Sequence, residues 1–366
     1  MTVHPSKTDR CGFGLIGLLL TCGLALAADG PGPGPVAKPE TLAKKLDYPE
    51  GIAVDQRDIY WVDSGIGDWE FRKYHNGTVC SARKDGKGKR VLARKQRNPN
   101  SIVLDEKYVY WTNFGSAVSG WTDGAVMKMA KSGGRAKVVL SPVTSPTRLT
   151  QDSDTLYVTT VGDVSTDQVV LAIPKRGGRS RRIVADEDGI ACMAVDSTHV
   201  YWTSQVSDKP AKGENWVLKR APKAGGAPVV IAGPAAGTAQ DLVVDSQTAF
   251  LLVVFEAEKD DKMVRVAKEG GPVATVTAML ELSQAMPAGI GLDGDQVCWW
   301  FRFPDAYGGD EDGPQPAIRC IGKTGGLPRL VTSNAIDRSV NPVQVMADDQ
   351  YFYFINESDT LMRIRK

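Results

Sequence analysis

The sequence predicts an all-β chain: a β-propeller of seven four-stranded antiparallel blades, with the last blade completed by a strand from the N-terminal end. Three observations predict it. An apolar strand ending at or beside an Asp recurs seven times, at Ile52 to Asp55, Ile102 to Asp105, Leu149 to Asp152, Met193 to Asp196, Leu242 to Asp245, Ile290 to Asp293 and Val345 to Asp348, spaced 44 to 55 residues apart. Five residues after each Asp a second strand is under way, as in Tyr60-Trp61, Tyr110-Trp111, Tyr157-Val158, Tyr201-Trp202, Phe250-Leu251, Cys298-Trp299 and Tyr353-Phe354. Six of the third strands then end in a Lys-x-Gly turn, at Lys84, Lys131, Lys175, Lys223, Lys268 and Lys323. Single blades of this length cannot cover both faces. A ring buries each face against a neighbour and leaves few free edges.

Taken in chain order, residues 1–27 come first and read as a secretory signal peptide. Lys7 and Arg10 form a basic head, Cys11 to Ala27 is uncharged and largely apolar, and Ala25-Leu26-Ala27 is a small-residue cleavage site. The run is short for a membrane anchor, and no basic flank follows it. A lipid anchor at Cys22 is the alternative, against which Thr21 directly before the Cys is a poor fit. The reading implies a secreted or periplasmic protein. Residues 28–40, rich in Gly and Pro, read as a flexible tether. The propeller follows at 41–366. Its seventh copy ends at Lys366, before any fourth strand, while residues 41–47 resemble an orphan fourth strand. They are expected to pair with Leu361 to Ile364 and latch the ring.

The fragments Tyr60-Trp61-Val62-Asp63, Tyr110-Trp111-Thr112-Asn113 and Tyr201-Trp202-Thr203-Ser204 resemble the YWTD repeat of lipoprotein-receptor propellers. The wider pattern is closer to uncharacterised secreted bacterial propellers. The resemblance spans 41–366, implies the fold and is nearly silent on function. YWTD propellers have six blades, whereas seven copies are counted here.

Most recurring residues read as architecture. The Asp accepts backbone N–H groups in a tight turn. The Tyr-Trp pairs point to opposite faces of their strand and pack between blades. The Gly-Gly turns supply positive φ for hairpins. Only His75 and His199 follow residue 27, and His199 falls in a tight turn, which excludes a His-rich zinc site. Removing residues 1–27 leaves acids and bases in equal number, so neither nucleic acid nor an anionic membrane is an expected partner. Of Cys80, Cys192, Cys298 and Cys320, the last two fall on neighbouring strands of one blade and are the candidate disulfide. The first two are expected to be buried thiols.

A site is expected on one face. The turns joining strands one to two and three to four are short and uniform, while the loops joining strands two to three are long and differ in every blade. In these loops acids outnumber bases by more than two to one. They carry Trp69, Phe71, Trp121, Phe301, Phe303 and Tyr307, aromatics outside the alternating strand pattern that suit a recognition surface for a protein or glycan. At the axial mouth of the same face, Glu50, Asn100 and Asp241 offer oxygen ligands for Ca²⁺. Pro49-Glu50-Gly51 resembles the first ligand motif of calcium-dependent propeller lactonases, although their later Asn and Asp ligands are not matched. The competing reading pairs Arg148 with Glu50 or Asp241 as an ion pair. Together these features predict a monomeric exported binding module, with a metal-dependent hydrolase acting at the channel mouth as the alternative.

Overall fold

The computed structural model describes residues 38–65, 76–161, 168–187, 189–206, 214–255, 261–278, 286–302, 318–331, 342–356 and 359–366. They form seven four-stranded antiparallel sheets, each in simple up-and-down order. The first strands are Pro49–Val54, Pro99–Leu104, Pro146–Gln151, Met193–Val195, Thr238–Val244, Met286–Asp293 and Pro342–Ala347, and they define blades 1 to 7. No helix among the described residues is long and apolar enough to cross a membrane.

The fourth strand of blade 7 comes from the other end of the chain. Glu40–Ala43 pairs antiparallel with Thr360–Arg365, with Glu40 opposite Arg363 and Ala43 opposite Leu361. The latch is therefore shorter than the expected 41–47. Lys45 and Tyr48 have left-handed φ of 55° and 54° and turn the chain back, so Leu46 drops into the core between blades 7 and 1 instead of continuing the strand.

Alternation along each second strand builds the core. Tyr60 packs towards Ile102, Val109 and Trp111 of blade 2, whereas Trp61 packs towards Tyr353, Ile355 and Leu361 of blade 7. Trp61, Trp111, Trp202 and Trp299 are all fully buried this way. Cys298 and Cys320 lie directly opposite on adjacent strands of blade 6 and form a disulfide, while Cys80 and Cys192 are free and buried.

The recurring Asp does more than close its turn. In six blades its Oδ1 accepts the N–H groups two and three residues on, at 2.7–3.0 Å. In five its Oδ2 also accepts the hydroxyl of the Tyr five residues later: Tyr60, Tyr110, Tyr157, Tyr201 and Tyr353. The lysine of the following blade's turn then clasps the same carboxylate. Lys84 reaches Asp348 at 2.6 Å, Lys131 reaches Asp55 and Lys223 reaches Asp152 at 2.7 Å, Lys323 reaches Asp245 at 2.9 Å and Lys175 reaches Asp105 at 3.7 Å. Lys268 with Asp196 and Lys366 with Asp293 complete the set. Seven Lys–Asp pairs thus link every blade to the next around the short-turn face.

Candidate functional site

The opposite face carries the ends of the second strands and the starts of the first strands. In six blades the first strand slips register one or two residues after its start, between Pro49 and Gly51, Pro99 and Ser101, Pro146 and Leu149, Ala239 and Asp241, Pro287 and Gly289, and Pro342 and Gln344. These bulges contain Glu50 and Asn100, two of the residues expected at the mouth, together with Thr147, Arg148, Gln240, Ala288 and Val343, and Asp241 directly follows one of them. A bulge re-aims its side chain out of the alternating pattern.

Most polar groups there serve blade-to-blade contacts. Gln344 Oε1 accepts the N–H of Ile52 at 2.7 Å, Ser101 Oγ that of Leu149 at 3.1 Å, and Asp241 Oδ2 that of Ile290 at 3.0 Å. Asn100 donates to Pro146 O at 3.2 Å, and its Oδ1 accepts the Thr112 hydroxyl. Arg148 spans blade 4, donating to Asp241 Oδ1 and Gln240 O, both at 3.0 Å. The guanidinium is enclosed by protein on most sides, yet water reaches it, its side chain being 45% exposed. The ion-pair alternative for Asp241 is what the geometry contains. Of the three proposed oxygen ligands, Asn100 and Asp241 are engaged by protein donors. Glu50 has no hydrogen-bond partner among the described residues, and burial pushes its carboxyl above the usual range. Among the described residues no group of three His, Cys, Asp or Glu side chains is arranged to hold a metal ion.

The expected aromatic rim resolves unevenly. Phe301 is a correction: it is 2% exposed and packs with Phe250, Trp299 and Ile321. The second strand of blade 6, Gln296–Arg302, runs far enough to take Phe301 into the sheet opposite Pro287, so this ring is core and unavailable to a partner. Trp69, Phe71, Phe303 and Tyr307 lie outside the described residues, as does His75. Trp121 is half-buried at the rim of blade 2. A 3-10 turn at Ala117–Ser119 precedes it, and its backbone sits at φ 64°, a left-handed conformation unusual for a bulky residue. Asp123 fixes this loop, accepting Ser116 N at 2.7 Å, Ser116 Oγ at 2.9 Å, Ser119 Oγ at 2.5 Å and Arg97 Nη1 at 2.8 Å. Burial opposes ionisation of Asp123, but these donors outweigh it and hold its carboxyl below the usual range. Trp121 packs edge-on against Phe114 with centroids 5.2 Å apart, and Val118 at the tip of the turn is 88% exposed.

No family model matches the chain, and no curated protein matches it in sequence. Solved structures match its fold. A catalytically inactive virginiamycin B lyase from Staphylococcus aureus with quinupristin has a TM-score of 0.62 at 13% identity, over 90% of this chain and 99% of that one. YCF48 bound to D1 peptide has a TM-score of 0.60 at 10% identity, over 91% and 97%. The propeller domain of the trilobed protease from Pyrococcus furiosus, described as an open velcro topology, has a TM-score of 0.61 at 9% identity, over 88% and 96%. At these identities the likeness concerns the fold alone.

One buried acid on the loop side stands out. Asp63, at the end of the second strand of blade 1, accepts Trp61 Nε1 at 3.3 Å and Thr78 Oγ1 at 3.2 Å on Oδ2, while Oδ1 is buried without a partner. Burial pushes its carboxyl up to about 6, only partly offset by the Trp61 and Thr78 donors. Ionising it near neutrality therefore works against folding. Blade 2 has Asn113 in the corresponding place. Asp63→Asn is expected to stabilise the protein by about 1 kcal/mol at pH 7.5, since part of the relief is lost to the buried amide. The gain should vanish below about pH 4, where the native acid is neutral in both states. Urea titrations at the two pH values measure it.

Proposed function

We propose that this protein is an exported binding propeller that recognises a protein or glycan through its long-loop face, with Trp121 as an anchor. The observation that carries this reading is the Trp121 loop. Holding a bulky residue at left-handed φ costs on the order of 1–3 kcal/mol and persists only where the surroundings enforce it. Here Asp123 and its donors enforce it, and they set a Trp and the exposed Val118 together on a rigid rim. A rigid aromatic beside an apolar tip is the composition of an interface anchor, because little side-chain freedom is lost on binding. The acidic loops would steer a basic partner and make association sensitive to salt. The disulfide in blade 6 suits an oxidising compartment. Solved propellers of similar fold include one bound to a peptide and one lyase, so the fold itself is compatible with either activity.

The test is Trp121→Ala, with Trp69→Ala in parallel, probed against a glycan array and immobilised basic peptides. Losing the Phe114 contact should lower stability by about 0.5–1.5 kcal/mol. Affinity for whichever probe the native protein retains should fall about tenfold or more. If Trp121→Ala binds as the native protein does, or unfolds several kcal/mol earlier, the ring is structural and the loop-face reading fails.

A further inference from the structure

On the short-turn face a second contact recurs between blades, outside the Lys–Asp clasps. Three residues before the turn lysine, a basic side chain reaches to the next blade. Lys128 donates to Lys175 O at 2.8 Å, Arg265 to Lys323 O at 3.2 Å and Arg363 to Lys84 O at 2.8 Å. Arg220, in the same place, pairs with Glu269 at 2.6 Å. Blade 3 has Ala172 there, and its cross-strand partner Arg181 substitutes, donating to Lys223 O at 2.9 Å and Ala224 O at 3.3 Å. In blades 2 and 7 the strap also lies over an aromatic ring three residues after the Asp, Lys128 over Tyr108 at 5.4 Å and Arg363 over Tyr351 at 4.5 Å.

Blade 1 has neither the strap nor the ring: Ser81 and Asp58 stand at those positions, as Cys320 and Gln296 do in blade 6. Arg90 lies opposite Ser81 as Arg181 lies opposite Ala172, yet among the described residues it makes no bond to blade 2. A cavity of about 830 Å³ lies between blades 1 and 2 at this place, lined by Arg57, Asp58 and Arg90 on one side and Glu106, Lys131 and Ser132 on the other, with Val54 and Leu104 adding apolar surface. Asp55 and Asp105 also line the cavity but are held by Lys131 and Lys175. Arg57, Asp58, Arg90 and Glu106 have no ion-pair partner among the described residues, so two guanidinium groups and two carboxylates remain to meet a ligand. The size suits a small ligand, and a single amino acid would leave much of it unfilled.

We propose that this groove binds a short peptide with free termini. The planar guanidinium groups of Arg57 and Arg90 take its carboxylate, and Asp58 and Glu106 take its ammonium. The site lies on the face opposite Trp121, so it stands or falls independently of the loop-face reading. Trialanine, N-acetyl-trialanine and trialanine amide are suitable probes by titration calorimetry on the full protein, with alanine itself as the small comparison. Arg57 and Arg90 are exposed, so Arg57→Ala and Arg90→Ala should fold normally, which melting curves verify. Trialanine is expected to saturate the native protein with a Kd of about 1 mM or tighter, and to bind about tenfold more weakly when either terminus is capped, when either Arg is removed, or when it is shortened to alanine. Absence of saturable trialanine binding, equal binding of the capped forms, or unchanged binding by both Arg variants would overturn the proposal.

Discussion

A chain that begins at Tyr48 is expected to melt about 5–10 °C below the full protein and over a broader range. The deletion removes Leu46, buried at 5% exposure among Ile52, Trp61, Tyr353 and Leu361, together with the half-buried Leu42 and Ala43. Full burial of a leucine contributes about 1.5–3 kcal/mol, and the smaller contacts add to that. It also removes the ladder onto Thr360–Arg365 and the Arg363–Glu40 pair at 2.7 Å. That pair is more than half exposed on the Glu40 side and adds little. The larger consequence is topological. Without this strand blade 7 has three strands, and the interface between blades 7 and 1 loses its outer cover. Leu46→Ala in the full chain should reproduce about 2 kcal/mol of the loss without opening the ladder. Differential scanning calorimetry on both proteins separates the two contributions. An unchanged melting curve for the shortened chain would mean that the ring closes without its latch.

The repeat made the seven blades, the two kinds of connection and the disulfide pair legible, because each depends on local pattern and on strand order. The bulges were not legible, since nothing in the alternation marks where a first strand slips its register. Errors arose where a local conformation broke the period. Lys45 adopts a left-handed φ that nothing in a lysine announces, so the latch ended early. The run Cys298-Trp299-Trp300-Phe301 is apolar on both faces, so alternation could not mark where the strand ended, and Phe301 was assigned to the rim when it is core. The Lys–Asp clasps went unread for another reason. Both residues recur visibly, and so does the Tyr five residues after the Asp. Their partnership crosses from one repeat to the next, which spacing within a repeat does not reveal. The same holds for the groove between blades 1 and 2, whose lining comes from two successive repeats.

Stability should pass through a maximum on the acid side of neutrality, near pH 4–5, and then collapse between about pH 4 and 2. Two groups of carboxylates act in opposite directions. Burial raises Asp63 to about 6, and Glu50 and Asp359 also lie above their usual range. Their folded pKa exceeds the unfolded one, so protonating them as pH falls towards 4 favours the native state. The clasp carboxylates have the reverse sign. At Asp152 and Asp348 burial alone would raise the carboxyl, but the Lys223 or Lys84 ammonium, two turn N–H groups and a Tyr hydroxyl outweigh it and hold each at about 2. Asp55, Asp105, Asp196 and Asp245 are lowered by the same kinds of contact. Their contribution is complete above the unfolded carboxylate range and is lost as pH falls through the folded values. With partial exposure allowed for, Asp152 and Asp348 contribute about 1–2 kcal/mol each, and the other four act in the same direction. Asp152→Asn is therefore expected to lower stability by about 1–2 kcal/mol at pH 7, and the difference should shrink to about a few tenths of a kcal/mol at about pH 2, where the folded carboxylate is half protonated. Urea titrations across this range measure both curves. A native protein equally stable at pH 2.5 and pH 5 would show that the clasps contribute nothing to holding the ring.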